Sequence, residues 1–512
     1  TLSNGNLDAS LPASGKALAQ TLFPQSGKWY CEIDFVSGGG AGGGLRIGVI
    51  NEKNIAIDLG STANSWAYLA DGRVYHNASA PSYGVSSSPG DTLMMCLDID
   101  AGKLWYGKNG TWMASGNHGA GSNPSQTFTA GQKMSFSAQS GSGTVQVINA
   151  NWGQRSFAYT PPSGFLSVCT QNLANPTIAD GSTVFDTKLW TGDGTSSRSI
   201  DTYGFSPDFI WGKSRSHTNA HWMMDVVRGA NKRIEPNATD AEDTPSGIVT
   251  SFDSNGFTMG SNTENNGSGR TYVGWAWDAG SSTASNTSGT INSSVRVNQS
   301  AGFSIVSYTG NNTQGATIGH GLNAVPDFVI IKNRSYAEAW DIYHQQVGYG
   351  KVMRFSTATP ATASDVFPSS HSSSVIKVGN SRSQNGNNEY MIAYCFASVA
   401  GYSAFGSYTG NGSTDGPFVE LSFTPKFILL KNKDVSSVGH DWFIHDTERD
   451  PYNVSDSYIK ANTIDAEATH NMLDFVSNGF KIRTNLTSYN GNGNTHLYAA
   501  FAEHPFKTAR GQ

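Results

Sequence analysis

An alternation of apolar and polar residues, the pattern of half-buried β-strands, runs through most of this chain and is broken at short intervals by tight-turn dipeptides. Residues 29–35 (WYCEIDF) and 144–149 (TVQVIN) show the alternation. Asn-Gly, Asp-Gly and Gly-Gly pairs, which favour the turns of short hairpins, separate such runs. Helical periodicity is almost absent. We therefore predict an all-β fold of tandem antiparallel β-sandwich domains.

Composition narrows the function classes. The chain of 512 residues has a net charge of -6 and no block of Lys or Arg, which argues against nucleic-acid binding. It holds 12 Trp, 20 Tyr and 25 Phe but only 14% charged residues, whereas disordered chains are poor in aromatics and rich in charge. Because no run of about 18 apolar residues occurs, membrane insertion is not expected.

The four cysteines, Cys31, Cys96, Cys169 and Cys395, lie far apart and form no Cys-x-x-Cys pair. This spacing argues against zinc and against a disulfide framework. Since all but Cys169 fall inside apolar runs, we expect buried free thiols there.

A long internal repeat occupies the later part of the chain. An aromatic-Thr-Gly corner occurs at residues 190–194 (WTGDG), 308–311 (YTGN) and 408–412 (YTGNG). A proline and an apolar run that ends in Lys follow each corner, and each copy then continues to a tryptophan, namely Trp222, Trp340 and Trp442. The copies are spaced as whole domains rather than as solenoid units. The predicted organisation is a first domain at 1–160, a first copy at 161–280, a Ser/Thr/Asn-rich linker or exposed loop at 281–300, a second copy at 301–400 and a third at 401–512.

The repeated residues have structural explanations. We expect the corner glycines to adopt a positive φ, and each proline to open a strand whose two faces are both buried. Asp225/Arg228 and Asp446/Arg449 repeat an Asp-x-x-Arg pattern, most simply an ion pair or turn lock, whereas the middle copy has residues 343–346 (YHQQ) there. A rigid frame with variable loops suits recognition better than chemistry.

The first block resembles the SPRY family of β-sandwich domains. The similarity is carried by residues 27–32 (GKWYCE), 47–49 (IGV), 90–100, 102–110 (GKLWYGKNG) and 149–154 (NANWGQ). SPRY domains are non-catalytic binding modules, so the resemblance implies recognition of a protein or ligand through loops.

The later part looks like a repeated domain of unassigned function found in tailed-phage virion proteins. The matching residues are 401–403, 416–419, 445–450 (HDTERD), 477–481 (SNGFK) and 500–507 (AFAEHPFK). The resemblance implies a protein of the virion surface, in a tail fibre, tail tip or head decoration. Such proteins are usually symmetric oligomers, and we expect a homotrimer.

We predict no catalytic residue, no metal site and no cofactor. Asp193 and Asp415, beside Asn and Gly, could offer oxygen ligands to calcium, but no complete calcium loop occurs. Aromatic rings in polar, turn-like contexts could stack on sugars, and the candidate ligand-binding residues are Tyr83, Trp112 and Tyr489.

The leading functional hypothesis is a phage adhesin that binds a host surface receptor, protein or glycan, through loops, and that contacts other virion proteins. One alternative is a capsid decoration or head-fibre protein with a structural role. Another is a tail spike enzyme that degrades host polysaccharide, which would need two carboxylates about 5–10 Å apart in a cleft. No such pair stands out in the sequence.

Overall fold

The computed structural model of the protein describes residues 2–3, 7–13, 21–24, 26–39, 44–51 and 58–508. Strands form nearly all of its regular structure, which confirms the predicted all-β fold. The chain divides into two compact units, unit 1 (Thr1–Ala174) and unit 2 (Asn175–Gln512). In the described part of the chain the helices are short: α1 (Arg382–Asn385), α2 (Thr487–Asn490) and the 3-10 turns Met113–Ser115, Thr170–Asn172 and Gly181–Thr183.

Unit 1 is a two-sheet sandwich. Its strands are β1 (Leu2–Ser3), β2 (Asp8–Leu11), β3 (Thr21–Leu22), β4 (Lys28–Ser37), β5 (Leu45–Ile50), β6 (Ser65–Leu69), β7 (Val74–His76), β8 (Thr92–Asp98), β9 (Lys103–Lys108), β10 (Thr111–Trp112), β11 (Gln126–Thr127), β12 (Ser135–Ser140), β13 (Gln146–Asn151) and β14 (Leu166–Ser167). The larger sheet has the order β1-β2-β13-β4-β8-β9-β10, with β11 beside β9 and β14 beside β4. The smaller sheet has the order β3-β12-β5-β6-β7.

The core of unit 1 lies between these two sheets. Alternate residues of each strand point to the same face, so Ile33 from the larger sheet and Ile47 from the smaller sheet enter one apolar cluster. The thiols of Cys31 and Cys96 are buried and free, as the sequence predicts.

Unit 2 consists of three segments, which we number by position: segment 1 (175–280), segment 2 (281–400) and segment 3 (401–508). Its strands are β15 (Phe185–Thr191), β16 (Arg198–Ile200), β17 (Phe209–Ser214), β18 (Trp222–Asp225), β19 (Ser251–Asp253), β20 (Gly256–Met259), β21 (Thr271–Trp277), β22 (Thr283–Asn286), β23 (Ser293–Asn298), β24 (Phe303–Thr309), β25 (Thr317–Gly319), β26 (Phe328–Asn333), β27 (Asp341–His344), β28 (Lys351–Val352), β29 (Ala361–Thr362), β30 (Val375–Lys377), β31 (Tyr390–Phe396), β32 (Ser403–Thr409), β33 (Phe418–Glu420), β34 (Phe423–Asn432), β35 (Trp442–Asp446), β36 (Ser455–Lys460), β37 (Ala468–Val476), β38 (Gly479–Ile482) and β39 (Thr495–Pro505).

Each segment contributes a main sheet with the same strand order. The three orders are β15-β21-β17-β18, β24-β31-β26-β27 and β32-β39-β34-β35. The strands β17, β26 and β34, which hold the repeated apolar runs, are buried along their whole length. Pro207 and Pro326 precede their strands as expected, whereas Pro425 lies inside β34, at a break in its register with β39. Burial of both faces explains why these runs are continuously apolar instead of alternating.

The inner faces of the main sheets meet in one aromatic core. Phe185 of segment 1 stacks on Phe501 of segment 3, with ring centroids 5.4 Å apart. Phe209 of segment 1 lies 4.4 Å from Tyr394 of segment 2. Phe328 of segment 2 lies 5.7 Å from Phe405 of segment 3. The three segments therefore share apolar surface that each would expose to water if it stood alone.

Residues 281–300, expected to be a linker or an exposed loop, instead carry β22 and β23. These strands pair with each other, and β23 pairs with β24, so they extend the main sheet of segment 2 at its edge. An edge strand can be rich in Ser and Thr because one face remains in water. Ser293 and Val295 point inward, whereas Ser294 is exposed.

The aromatic-Thr-Gly corners require glycine for a reason other than the expected positive φ. Positive φ values fall two residues later, on Gly194 (73°), Asn312 (55°) and Gly412 (69°). A Cβ on Gly192 would lie 2.1 Å from the carbonyl oxygen of Gly267, and Gly310 and Gly410 meet carbonyls at 2.3 Å. Close backbone approach is therefore what excludes a side chain at the corner itself.

Candidate functional site

Two of the three aromatic candidates lie close together in unit 1. Tyr83 is half-buried, and its hydroxyl donates to the carbonyl of Met113, the residue after Trp112, at 3.3 Å. Burial raises the pKa of Tyr83 to about 12. The Trp112 ring is half-buried and lies 4.1 Å from the His118 ring. Each ring thus keeps part of its surface in water.

Tyr489, the third candidate, is a core residue. It is fully buried, and its ring lies 4.6 Å from that of Phe443. Nε2 of His445 lies 2.8 Å from its hydroxyl oxygen. The polar neighbours that suggested a surface loop belong to α2, which turns the tyrosine inward. Tyr489 therefore presents no ring face to a ligand at the surface.

Two exposed tyrosines in segment 2 were missed by the sequence analysis. Tyr336 is 49% exposed and Tyr390 is 61% exposed. The Arg382 guanidinium carbon lies 3.7 Å from the Tyr336 ring centroid, and that of Arg334 lies 6.0 Å from the Tyr390 ring centroid. The backbone N–H of Tyr390 donates to the Ser335 hydroxyl, so both rings belong to one surface. Their polar contexts, Arg-Ser-Tyr and Asn-Glu-Tyr, could have signalled exposure.

The first Asp-x-x-Arg pair lies buried at the interface between segments 1 and 2. Arg228 Nε donates to Asp225 Oδ2 at 2.5 Å, and the Tyr394 hydroxyl from segment 2 donates to the same oxygen at 2.8 Å. Arg228 also donates to Glu242, which accepts two further hydrogen bonds from Arg334 of segment 2 at 2.8 and 2.9 Å. The two arginines hold the pKa of Glu242 below its usual value despite its burial.

The second pair repeats this arrangement between segments 3 and 1. Arg449 Nε donates to Asp446 Oδ2 at 2.6 Å, and Trp275 Nε1 from segment 1 donates to the same oxygen at 3.0 Å. Glu467 accepts from Arg449 and from Arg215 of segment 1. The predicted ion pair is confirmed, and each pair also joins two segments.

The interface between segments 2 and 3 is built differently. The strand register shows that His344 occupies the position of Asp225 and Asp446. Each of the three residues pairs with the phenylalanine at the start of the apolar run on the neighbouring strand, namely Phe328, Phe209 and Phe427. Its Nε2 lies 3.2 Å from the Tyr498 carbonyl oxygen, and burial lowers its pKa to about 4. Three residues later the chain has Val347 where the other segments have arginine.

A cavity of about 280 Å³ lies at this third interface. Its walls combine segment 2 and segment 3, and its lining residues are Gln346, Val347, Lys351, Thr359, Pro360, Lys433 and Asp434. Lys433 Nζ is paired with its neighbour Asp434. Lys351 is exposed and has no ion pair in the described part of the chain.

Three buried lysines occupy the next-to-last positions of the apolar strands β17, β26 and β34, and we refer to them as the strand-end lysines. Lys332 Nζ donates to the carbonyls of Glu338 and, in segment 1, Thr239. Lys431 Nζ donates to the carbonyls of His440 and, in segment 2, Ser356. Burial lowers the pKa values of Lys213, Lys332 and Lys431 to about 8. The repeated lysines thus cap strands and tie loops to the frame.

The register also corrects the proposed tryptophan repeat. Trp340 and Trp442 donate through Nε1 to carbonyls of the preceding segment, Glu235 and Arg354 respectively. In segment 1 the residue that makes the matching contact is His221, whose Nε2 lies 3.0 Å from the Lys460 carbonyl oxygen of segment 3. Trp222 is one position further along and faces the opposite side of its strand.

Across the residues that the structure describes, no cluster of three or more His, Cys, Asp or Glu side chains is placed to hold a metal ion. Within the same ranges, every helix is too short or too polar to cross a membrane.

Unit 1 contains a domain of the SPRY class, because the family model described as a SPRY domain matches residues 28–137. The family model described as a domain of unknown function (DUF7483) matches residues 180–505, and the chain therefore belongs to that family. No curated protein matches the chain.

Among solved structures, the chain is similar to the SPRY domain of human HERC1, with 18% identity over 30% of this chain and 94% of that one and a TM-score of 0.25. It is also similar to a human SPRY domain, with 17% identity over 30% and 96% of the two chains and a TM-score of 0.24. The stonustoxin structure shows 20% identity over 30% of this chain and 25% of that chain, with a TM-score of 0.21.

Proposed function

We propose that this chain is a non-enzymatic attachment protein on the surface of a tailed-phage virion, which binds a host receptor or glycan through side chains displayed on a rigid β framework. The observation that carries the proposal is that the recurring polar groups of unit 2 are buried, whereas aromatic residues that do not recur are exposed. The polar groups that recur there, such as the Asp-Arg pairs and the strand-end lysines, are buried in structural contacts. The exposed aromatics Tyr336 and Tyr390 lie outside that recurring set.

We also propose that unit 2 consists of three copies of one fold. In support, Asn266, Asn385 and Asn490 form the same clamp. The side-chain NH₂ of each asparagine donates two hydrogen bonds of 2.6–3.2 Å. One goes to the side-chain oxygen of the residue after the corner glycine, and the other goes to the backbone carbonyl two residues after that. The shared strand order of the main sheets points the same way.

Surface aromatics offer the means of attachment. A sugar presents C–H groups that pack on an aromatic face. Neighbouring arginines can donate hydrogen bonds to its hydroxyl oxygens, and neighbouring carboxylates can accept hydrogen bonds from its hydroxyl groups. Arg382 lies over the Tyr336 ring and is paired at 2.8 Å with Glu389, the residue before Tyr390. The homotrimer inferred from the family resemblance would multiply such contacts by avidity.

The test is whether purified protein binds host cells and blocks phage adsorption. The double variant Tyr336→Ala/Tyr390→Ala should weaken cell binding, with Tyr83→Ala/Trp112→Ala as the matched variant in unit 1. Reversed sensitivities would move the binding surface to unit 1. No binding and no blocking, with the protein found on the capsid, would contradict an attachment role.

A further inference from the structure

The three segment interfaces of unit 2 can be compared position by position. One backbone pairing is equivalent in the three segments. It joins Arg233 to Asp243 in segment 1, Val352 to Ala361 in segment 2 and Tyr458 to Ala468 in segment 3. The residues just before these three partners are Glu242, Glu467 and Pro360. Pro360 therefore stands where the other two interfaces hold a partly buried glutamate between two arginines.

The glutamates make two kinds of contact across their interfaces. The backbone N–H of Glu242 donates to the Arg334 carbonyl at 3.0 Å, and that of Glu467 donates to the Arg215 carbonyl at 2.8 Å. Their carboxylates accept from the same arginines. A proline has neither the N–H nor the carboxylate, so neither contact can form at the third interface.

The cationic side of the third interface is retained in part. Lys433 occupies the position of Arg215 and Arg334, two residues after the strand-end lysine. Lys351 lies four residues after Val347, as Lys232 lies four residues after Arg228, and it lines the cavity. Two ammonium groups therefore border the cavity against the single carboxylate of Asp434.

We propose that this cavity binds the carboxylate of an acidic sugar residue, which takes the place that Glu242 and Glu467 fill at the other two interfaces. Lys433 and Lys351 would supply the charged donors, and Gln346 and Thr359 would contact the sugar hydroxyls. A cavity of about 280 Å³ is close to the lower limit for small-ligand sites and suits one sugar ring.

The inference that the cavity binds a carboxylate rests on the interface geometry. The inference that this carboxylate belongs to a sugar rests on the proposed function. Glucuronate, glucose and inorganic phosphate are therefore the probes. Titration of the full chain, followed by ligand-observed NMR, should show binding of glucuronate and at least about tenfold weaker binding of glucose, because glucose lacks the charged acceptor.

Variants locate the site. Lys433→Gln should weaken glucuronate binding about tenfold, and Pro360→Glu should abolish it by placing a carboxylate in the cavity. Pro360→Ala is the matched control, because it changes the same residue without adding charge and should keep binding. Lys377→Gln removes a lysine of the same segment away from the cavity lining and should also leave binding unchanged.

Absence of glucuronate binding would overturn the inference, and so would binding that Pro360→Glu leaves intact. Equal binding of phosphate and glucuronate would overturn the assignment to a carboxylate. If the protein binds host cells but glucuronate neither binds nor competes, the inference fails while the proposed attachment role stands. If glucuronate binds but cells do not, the attachment role fails and the site stands.

Discussion

Two interfaces of unit 2 are closed by buried ions, and the third is closed by a neutral histidine. At the segment 1–2 and 3–1 interfaces, a carboxylate on the strand end accepts from an arginine of its own segment and from an aromatic side chain of the next segment. At the 2–3 interface, His344 contacts a backbone carbonyl and Gln345 donates to the Phe405 carbonyl. The same fold thus accommodates two chemically different closures.

The difference shows that the ion pairs are not what defines the fold. Burying two charges costs desolvation, and a well-packed neutral arrangement can be equally stable. Once one partner is present, however, the other is required, because an unpaired charge with no access to water is very unfavourable. The aromatic core that all three segments share provides the common stabilisation.

Loss of one carboxylate from an ionic interface should have the largest effect. Asp446→Ala leaves the Arg449 guanidinium, which is 0% exposed, without its closest partner. We expect the free energy of unfolding to fall by about 3–5 kcal/mol, and a similar loss for Asp225→Ala. Chemical denaturation of each variant measures this.

Neutral replacements are the controls for that prediction. His344→Ala should cost about 1–2 kcal/mol, because it removes packing and two hydrogen bonds, to the Tyr498 carbonyl and from the Gln346 N–H, but leaves no buried charge. Asp446→His combined with Arg449→Val, which imitates the 2–3 interface, should cost less than Asp446→Ala alone. Equal losses at all three interfaces would contradict the distinction between ionic and neutral closure.

Acid should weaken the neutral interface through His344. Its pKa is lowered to about 4 in the folded protein, against about 6.5 in the unfolded chain. Between these two pH values only the unfolded chain binds the proton. The contribution of His344 to the free energy of unfolding is therefore fully present above pH 6.5 and is lost as the pH falls towards 4. The shift corresponds to about 3 kcal/mol.

His344→Gln should remove this part of the pH dependence. Burial also lowers the pKa values of other histidines, including His221 and His445, and these contribute to acid destabilisation as well. The quantity measured is therefore the difference in the free energy of unfolding between variant and parent, followed from pH 7 to pH 4. The exposed His470→Gln is the matched control. A parent and a His344→Gln variant that lose stability in parallel would show that His344 is not a neutral closure.

Local sequence patterns predicted much of this structure. Alternation identified the strands of unit 1, and continuous apolar runs identified β17, β26 and β34 as buried on both faces. Both signals depend on residues close in sequence, and the hydrophobic period reports burial directly.

Features that depend on distant residues could not be predicted in this way. Phe185 and Phe501 meet only because three segments share a core, and no local pattern encodes that contact. Tyr489 lies in a polar sequence yet points inward. The stretch 281–300 has linker composition because an edge strand needs only one apolar face. The correspondence of Pro360 with Glu242 and Glu467 depends on the strand register, which no local pattern of the sequence encodes.

Arginine geometry should matter at the ionic interfaces and not at the third. Arg334 makes two hydrogen bonds to Glu242 at 2.8 and 2.9 Å, a bidentate contact that lysine cannot reproduce. We expect Arg334→Lys to lower the free energy of unfolding by about 1 kcal/mol. Lys433→Arg, at the matching position of segment 3, should change it by less than about 0.5 kcal/mol. A clear gain from Lys433→Arg would indicate a second acidic partner there besides Asp434.

Restoring the missing glutamate should have the smallest effect on stability. Pro360→Glu offers Lys433 a carboxylate, but replacing a proline also frees the unfolded chain, which costs about 0.4–1 kcal/mol. The net change should therefore lie near zero, and a single variant cannot reveal the new contact. A double-mutant cycle with Lys433→Gln isolates it, and we expect a coupling of about 0.5–1 kcal/mol. The coupling should shrink as salt is raised, because the cavity is open to solvent. Zero coupling at low salt would mean that a carboxylate at position 360 does not reach Lys433, and the correspondence between the three interfaces would then fail at this position.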